Sequence, residues 1–401
     1  MAAQEYQAPE SVGRLQQRSL IIGGVALLMS IFGVVRTPGP FYQSYLMSFL
    51  LLLGLTVGSL GLVMLQHLTS GHWGIIIRRP LESASRTLPL MAIAFLPIAI
   101  FGMQYLYSGH GEEKGWLNAP PAGEGALSDF QKSYLTPNGF YARAVVYFVV
   151  WLALMLIFNR LSKQQDVNPD DRALRLRFKM LAGPGIILYV FVMTFAAIDW
   201  AMSLSPHWAS TIYGFLFVAG QLISSMSLMI AVVVLLARTE PFASVLQKRH
   251  LHDLGKLLLA FVMLWAYFDF SQLLIIWSGN QPEEISFYRT RLYGGWGVVA
   301  VIVLVFHFFV PFFLLLSQDV KRNAKVLPKI AMWLIFMRLV DLFWMTRPEF
   351  TSEAMPTWLD VVLPIAFGGL WLGFFAFNLK QCPLLPLGDP KLAEAIEHHE
   401  H

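Results

Sequence analysis

The sequence predicts an all-α polytopic membrane protein with about ten transmembrane helices, and three observations carry that expectation. Of 401 residues, 56% are hydrophobic and 13% are charged, roughly half the charged share of a soluble domain. Ten apolar runs approach the roughly 20 residues needed to cross a bilayer core. Lys and Arg also fall unevenly on the two sides of those runs.

The runs justify themselves in order. Residues 19–35 have the length of a signal sequence, but they lead into Arg36-Thr-Pro-Gly-Pro with no small-residue cleavage site. The segment therefore reads as a retained anchor. Run 41–65 carries Gly54 and Gly58, small residues that let helices approach closely. Runs 88–107, 139–158 and 180–204 follow, with Pro97 and Pro184 expected to kink the first and third. Run 209–237 contains Gly214, Gly220, Gln221, Ser224, Ser225 and Ser227, read as interhelical glue or water-holding groups. The last four are 254–277, 294–316, 328–345 and 359–379, with Pro311 and Pro364 as further kink points.

With the N-terminus inside, 21 of the 29 Lys and Arg residues lie on the inner side and seven on the outer, leaving Arg338 within a run. The bias places both termini in the cytoplasm of a multi-pass protein, and a lipid bilayer is its surroundings. Residues 108–138 form the long outer loop and 280–293 a second outer segment. Residues 71–87, with Trp73, Ile75, Ile76 and Ile77 beside Arg78 and Arg79, suggest an interfacial stretch. Residues 380–401 form the cytoplasmic tail, whose His398, His399 and His401 read as solvated rather than metal-binding. The whole chain, 1–401, reads as one integral membrane domain.

An ionisable side chain at membrane depth costs at least about 2.5 kcal/mol on insertion scales, so each is a functional candidate. Five need weighing: Asp199, Asp269, His307, Arg338 and Asp341. Arg338 and Asp341 are three apart, share a helix face and can pair. One reading is a self-neutralised structural pair. The other is a polar ladder in which Asp269, His307 and Asp341 pass a proton, Arg338 stays charged as their partner, and Asp199 with His207 forms the outer exit. Asp199 and His207 could also hydrogen-bond a quinone headgroup, with Trp200 and Trp208 stacking on it, although aromatic residues at that depth are equally an interfacial belt.

The single cysteine, Cys382, excludes a disulfide framework, a CxxC pair, a cysteine-ligated iron–sulfur cluster and CxxCH haem attachment. A bis-histidine haem needs two imidazoles at one depth, and only His307 is central. The chain is therefore expected to bind no cofactor of its own and no metal. No phosphate-binding loop, HExxH or nucleophile elbow is present, and nothing suggests nucleic-acid binding.

Three stretches resemble a known family. They are Asp199-Trp-Ala-Met-Ser-Leu-Ser-Pro-His-Trp208 with Ser210-Thr-Ile-Tyr-Gly214, Phe268-Asp-Phe-Ser-Gln continuing to Ile285, and Arg338-Leu-Val-Asp-Leu-Phe-Trp344 with Arg347-Pro-Glu349. In order and spacing they resemble the ActF-type, NrfD/PsrC-like membrane subunit of bacterial alternative complex III. The resemblance covers the second half of the chain; the first 170 residues add only a compatible span pattern. It implies two four-helix bundles with a flanking helix pair, in the bacterial inner membrane. It also implies an ActC-like membrane neighbour, an iron–sulfur protein and cytochrome c subunits. Menaquinol or ubiquinol would be oxidised in the complex, with haem c and iron–sulfur clusters in the partner subunits. Asp199, His207, Asp269, Arg338 and Asp341 fall within the matching stretches, and His307 lies between two of them.

The function so implied is a non-catalytic subunit of a respiratory or photosynthetic quinol:cytochrome c or cupredoxin oxidoreductase, conducting protons or bracing its quinol-oxidising neighbour. Two readings compete with it. A quinol-binding subunit in its own right would hold the quinone beside Asp199. A stand-alone secondary transporter would show repeated halves and a midplane substrate site.

Overall fold

A computed structural model describes residues 6–110, 113–120, 126–169 and 171–392, so the histidines of the extreme C-terminus lie outside the described residues. Apart from a two-residue antiparallel ladder, β1 (Gly109–His110) against β2 (Glu113–Lys114), the regular structure among these residues is helical. Nine of the helices are long and apolar enough to cross a membrane.

The α-helices of six residues or more among the described residues are α1 (Glu10–Arg36), α2 (Pro38–Thr69), α3 (Arg78–Ser85), α4 (Leu88–Pro97), α5 (Asp129–Tyr134), α6 (Pro137–Val167) and α7 (Arg172–Trp200). They continue with α8 (Tyr213–Leu236), α9 (Lys248–Gly279), α10 (Pro282–Leu292), α11 (Gly294–Val303), α12 (Val310–Leu316), α13 (Leu327–Thr346) and α14 (Leu359–Leu379). A π-helical turn, Ile98–Gly102, extends α4 directly after Pro97, and a second, Leu304–Phe309, joins α11 to α12 just before Pro311. Both lie where a missing proline N–H disturbs the helical ladder. α13 is 20 residues long and apolar apart from Lys329, Arg338 and Asp341.

Helix ends follow local chemistry. Asp171 accepts from the N–H groups of Ala173 and Leu174 to start α7, and Thr136 accepts from Gly139 N to start α6. Ser128 and Gln131 form a capping box on α5, which satisfies two otherwise orphaned donors. Gln131 then reaches Pro206 O at 2.7 Å, tying the outer loop to the end of α7.

α2 is wholly interior and α8 largely so, so these two apolar helices form the seam around which the others stand. Their contact depends on small residues: a Cβ on Gly58 would fall 2.6 Å from Gln221 O and 2.5 Å from Ser225 Oγ. Ser225 Oγ donates across the seam to Leu55 O at 3.1 Å. α1 instead lies against α14, where Gly23 and Gly369 meet so closely that a Cβ on either would strike the other helix's backbone. The far side of α1 exposes Ile21, Leu28, Phe32 and Val35, an apolar face suited to lipid.

The segment expected to lie flat on the membrane surface does not. Ile75, Ile76, Ile77, Arg78 and Arg79 are all buried. Glu82 joins both guanidiniums, with Arg78 Nε at 3.1 Å and Arg79 Nη1 at 2.9 Å. Asp389 pairs with Arg78 at 3.0 Å, Asp166 pairs with Arg79, and Ser162 and Gln165 of α6 complete the network. Two buried cations met by three carboxylates can leave water, which draws the segment inward. The same network folds the described part of the tail, with Leu384 and Leu385 buried, against the inner ends of α3 and α6.

Candidate functional site

The six ionisable candidates do not form one ladder. They divide between a cluster on α6 and α7, a cluster on α9, α13 and the second π turn, and an isolated residue.

In the first cluster Asp199, near the end of α7, is fully buried. Both of its oxygens are taken: Arg143 Nε donates to Oδ2 at 2.8 Å, Arg143 Nη2 to Oδ1 at 2.9 Å, and Tyr147 OH to Oδ2 at 2.6 Å. Arg143 and Tyr147 are four apart on α6, so one helix face delivers both donors. Arg143 also donates to Tyr134 O at 2.9 Å and lies 3.8 Å from the centre of the Tyr134 ring. Burial and the Asp199 carboxylate, partly offset by Arg143, push the Tyr134 hydroxyl up to about 12. A bidentate guanidinium–carboxylate pair with a phenol on the third site is geometrically fixed. The arrangement anchors α6 to α7.

His207, expected beside Asp199 as the outer exit, is exposed in the 205–212 segment, and among the described residues no hydrogen bond joins the two. The aromatic faces proposed for a quinone are also occupied. Trp200 is fully buried, with Phe95 at 4.8 Å, Phe49 at 5.7 Å and Tyr147 at 5.8 Å between ring centres. Trp208 stacks on Phe287 at 3.8 Å and meets Tyr213 edge-on. Both rings are buried against neighbouring aromatic side chains, which leaves no open face for a headgroup.

The second cluster brings Asp269, His307, Arg338 and Asp341 together. Arg338 donates to Asp341 across one turn of α13. The guanidinium lies against the bare face of Gly220 on α8, where a Cβ would sit 2.3 Å from Cζ, and 5.3 Å from the Phe217 ring centre. Asp269 on α9 lies within electrostatic reach of the Asp341 carboxylate, and His307 within reach of the Arg338 guanidinium. His307 is fully buried inside the π turn and meets Trp265 edge to face at 4.5 Å, while Trp265 also lies beside Asp341. Neither imidazole nitrogen takes a hydrogen bond from the protein. Asp269 is half-buried, between Tyr267 and Phe270, whose rings point outward. A guanidinium–carboxylate pair against α8 thus has an imidazole from the π turn and a second carboxylate from α9 in its neighbourhood.

The polar residues of α8 act mostly as glue. Gln221 accepts from Tyr189 OH at 2.8 Å, and Ser224 donates to Gly220 O. On α9, Gln272 accepts from Ser210 Oγ at 2.9 Å and donates to Tyr288 OH at 3.1 Å.

The sequence reading missed several partners. Arg143 and Arg291 count there as outer-side charges, yet Arg291 is buried, bonded to Glu349 at 2.6 Å and to Met345 O at 2.9 Å. Its guanidinium lies 3.5 Å from the centre of the Phe287 ring, on which Trp208 also stacks. Asp360 accepts from Ser44 Oγ at 2.5 Å and pairs with Arg347 at 3.6 Å. The i,i+4 spacing of Arg143 and Tyr147 was the available signal for the first; the others join residues too distant in sequence to be paired by spacing.

Among the described residues no three His, Cys, Asp or Glu side chains come together to hold a metal ion. No family model matches the chain, and no curated protein matches it.

Proposed function

We propose that the chain is an ActF-type membrane subunit of a quinol-oxidising complex, in which the α9–α13–π-turn cluster carries protons beside a neighbouring redox subunit. The observation that carries the reading is a buried Arg338–Asp341 pair with Asp269 within electrostatic reach of its carboxylate and His307 within reach of its guanidinium. Two neighbouring carboxylates, only one of them paired with a guanidinium, leave one negative charge in surplus, which a proton can neutralise. His307 adds an imidazole with both nitrogens free for a second carrier. Arg338 holds the charge balance and moves no proton.

In this reading α13 also spans, as the ninth of ten in chain order; spans two to five (α2, α4 with its π turn, α6, α7) and six to nine (α8, α9, α11 with α12, α13) form the two four-helix bundles, with α1 and α14 as the flanking pair. The half-buried Asp269 supports a membrane neighbour. An ionisable group beside the outward-pointing Tyr267 and Phe270 is costly against lipid, and a second subunit covering α9 would relieve that cost. The neighbours would be an ActC-like subunit, an iron–sulfur protein and cytochrome c subunits of a bacterial inner membrane, with menaquinol or ubiquinol as reductant. Asp199 is assigned to anchoring and is left out of the path.

The test uses the intact complex. Asp341→Asn and Asp269→Asn are expected to assemble normally while lowering proton release per quinol oxidised. Normal assembly with unchanged stoichiometry would reduce the cluster to scaffolding. Purification of the chain free of any haem- or cluster-bearing partner would remove the complex from the proposal.

A further inference from the structure

At the opposite end of the molecule from Asp199, the C-terminal end of α2, the start of α7 and the described tail enclose a cavity of about 350 Å³. Its walls include Arg172, Arg175 and Lys179 of α7 and Lys391 of the tail. Against these four cations stands one carboxylate in the lining, Asp389, and that is already paired with Arg78. Arg172 and Lys179 make no ion pair among the described residues, and Arg175 reaches only Pro169 O, at 3.5 Å. Lys391 donates to Ser70 O on the rim.

Two further lining groups are buried and unpartnered: Gln66 Oε1 and His67 Nε2 receive or donate no hydrogen bond within the protein. The His67 ring is fixed against Phe178 at 4.0 Å and Phe158 at 5.9 Å, so its free nitrogen cannot swing away to find a partner. A buried polar atom left bare costs free energy, which singles this cavity out from a mere gap between charged side chains. From the mouth, α7 continues with Leu176, also in the lining, then Met180 and Leu181, all exposed.

We infer that this cavity is a binding site for an anionic glycerophospholipid whose headgroup carries hydroxyls, phosphatidylglycerol in type. The phosphodiester would lie among Arg172, Arg175 and Lys179, a headgroup hydroxyl would donate to Gln66 Oε1, and the acyl chains would run along Leu176, Met180 and Leu181. Basic pockets between spans on the inner side are suited to such headgroups. The apolar strip at the mouth favours a lipid over a free phosphate, which would gain nothing from it. The site is separate from the proton-carrying cluster and does not rest on its assignment.

The experiment is native mass spectrometry of the full-length protein released from nanodiscs containing phosphatidylcholine with phosphatidylglycerol, phosphatidic acid or phosphatidylethanolamine. Arg172→Gln/Lys179→Gln alters two exposed residues and leaves the core intact. The native protein should retain phosphatidylglycerol in preference to the other two. The double variant should lose about 25-fold in that retention, from about fivefold for each basic residue removed. Equal retention by variant and native protein would overturn the site. Retention of phosphatidylethanolamine as strongly as phosphatidylglycerol would overturn the anionic selectivity, and equal retention of phosphatidic acid would overturn the hydroxyl contact. Displacement of the lipid by millimolar inorganic phosphate alone would make the ligand a free anion and overturn the lipid assignment.

Discussion

Replacing Arg143 by Met removes both guanidinium bonds to Asp199 and leaves the carboxylate, fully buried, with only the Tyr147 hydroxyl to meet it. Removing one partner of a buried ion pair costs about 3–5 kcal/mol, because the other charge stays desolvated. The Arg143 side chain is 22% exposed, so water already offsets part of the pair, and the lower end, about 3 kcal/mol, is the expected loss. Asp199→Asn is milder. It keeps the shape, and the freed guanidinium can reach water along its aliphatic stem, so the loss is that of charge-assisted bonds, about 1.5–3 kcal/mol. The double variant Arg143→Met/Asp199→Asn contains no stranded charge and should be at least about 2 kcal/mol more stable than the sum of the two single losses predicts. Chemical unfolding in mixed micelles, followed by tryptophan fluorescence, reads this directly, since Trp200 is 5.8 Å from the Tyr147 ring. Strict additivity of the two substitutions would refute the argument that Asp199 is ionised and held by Arg143.

Three further outcomes are expected. Gly220→Val places carbon where the Arg338 guanidinium lies; the overpacking should cost about 1–3 kcal/mol, whereas Gly13→Ala, in α1 with open space around it, should raise stability by about 0.5–1 kcal/mol. Glu82→Ala leaves two buried guanidiniums with Asp166 and Asp389 as their only carboxylate partners and should lower stability by about 3 kcal/mol, with Glu82→Asp recovering part of it in the same unfolding assay. Tyr134, pushed up to about 12 from the ordinary 10.0, binds its proton more tightly folded than unfolded. Its contribution is therefore full below about pH 10 and is lost as pH rises through about 12. Tyr134→Phe should flatten the fall in stability across that window, and an unaltered profile would show that other groups cause it.

The spans and the glycine contacts were legible in the sequence because they depend on local composition. Gly54 and Gly58 mark the α2–α8 seam, and Arg338 with Asp341 marks a pair that one turn of helix must bring together. The position of His307 in the second cluster follows from its central place in a span beside Pro311. Legibility failed where the partner is far along the chain. Nothing local to Asp199 announces Arg143, fifty-six residues earlier, and charge counting assigned that arginine to water. The error over 71–87 has the same source: an apolar run beside basic residues looks amphipathic until Glu82, Asp166 and Asp389 neutralise the arginines from within. Trp200 and Trp208 were read by depth, but depth does not separate an interfacial ring from one that fills a helix junction.

Arg338 of the second cluster and Tyr189 of α7 meet α8 in different directions. Gly220 and Gln221 are consecutive on α8, so their side-chain directions differ by about 100°. The bare face of Gly220 receives Arg338 from α13, while Gln221 accepts from Tyr189 of α7 and presses on Gly54 and Gly58 of α2. A shift of Arg338 that moved α8 by a few tenths of an ångström would therefore meet backbone, not a yielding side chain, at Gly58, where contact is already closer than a Cβ would allow. Close-packed interfaces of this kind are stiff. The α7 anchor at Asp199 is stiff as well, with every carboxylate bond formed. Mobility near the second cluster must then be sought on its other side, in the π turn around His307 and on the thinly covered α9. Those segments hold the two titratable groups, His307 and Asp269, that Arg338 does not pin through a direct bond.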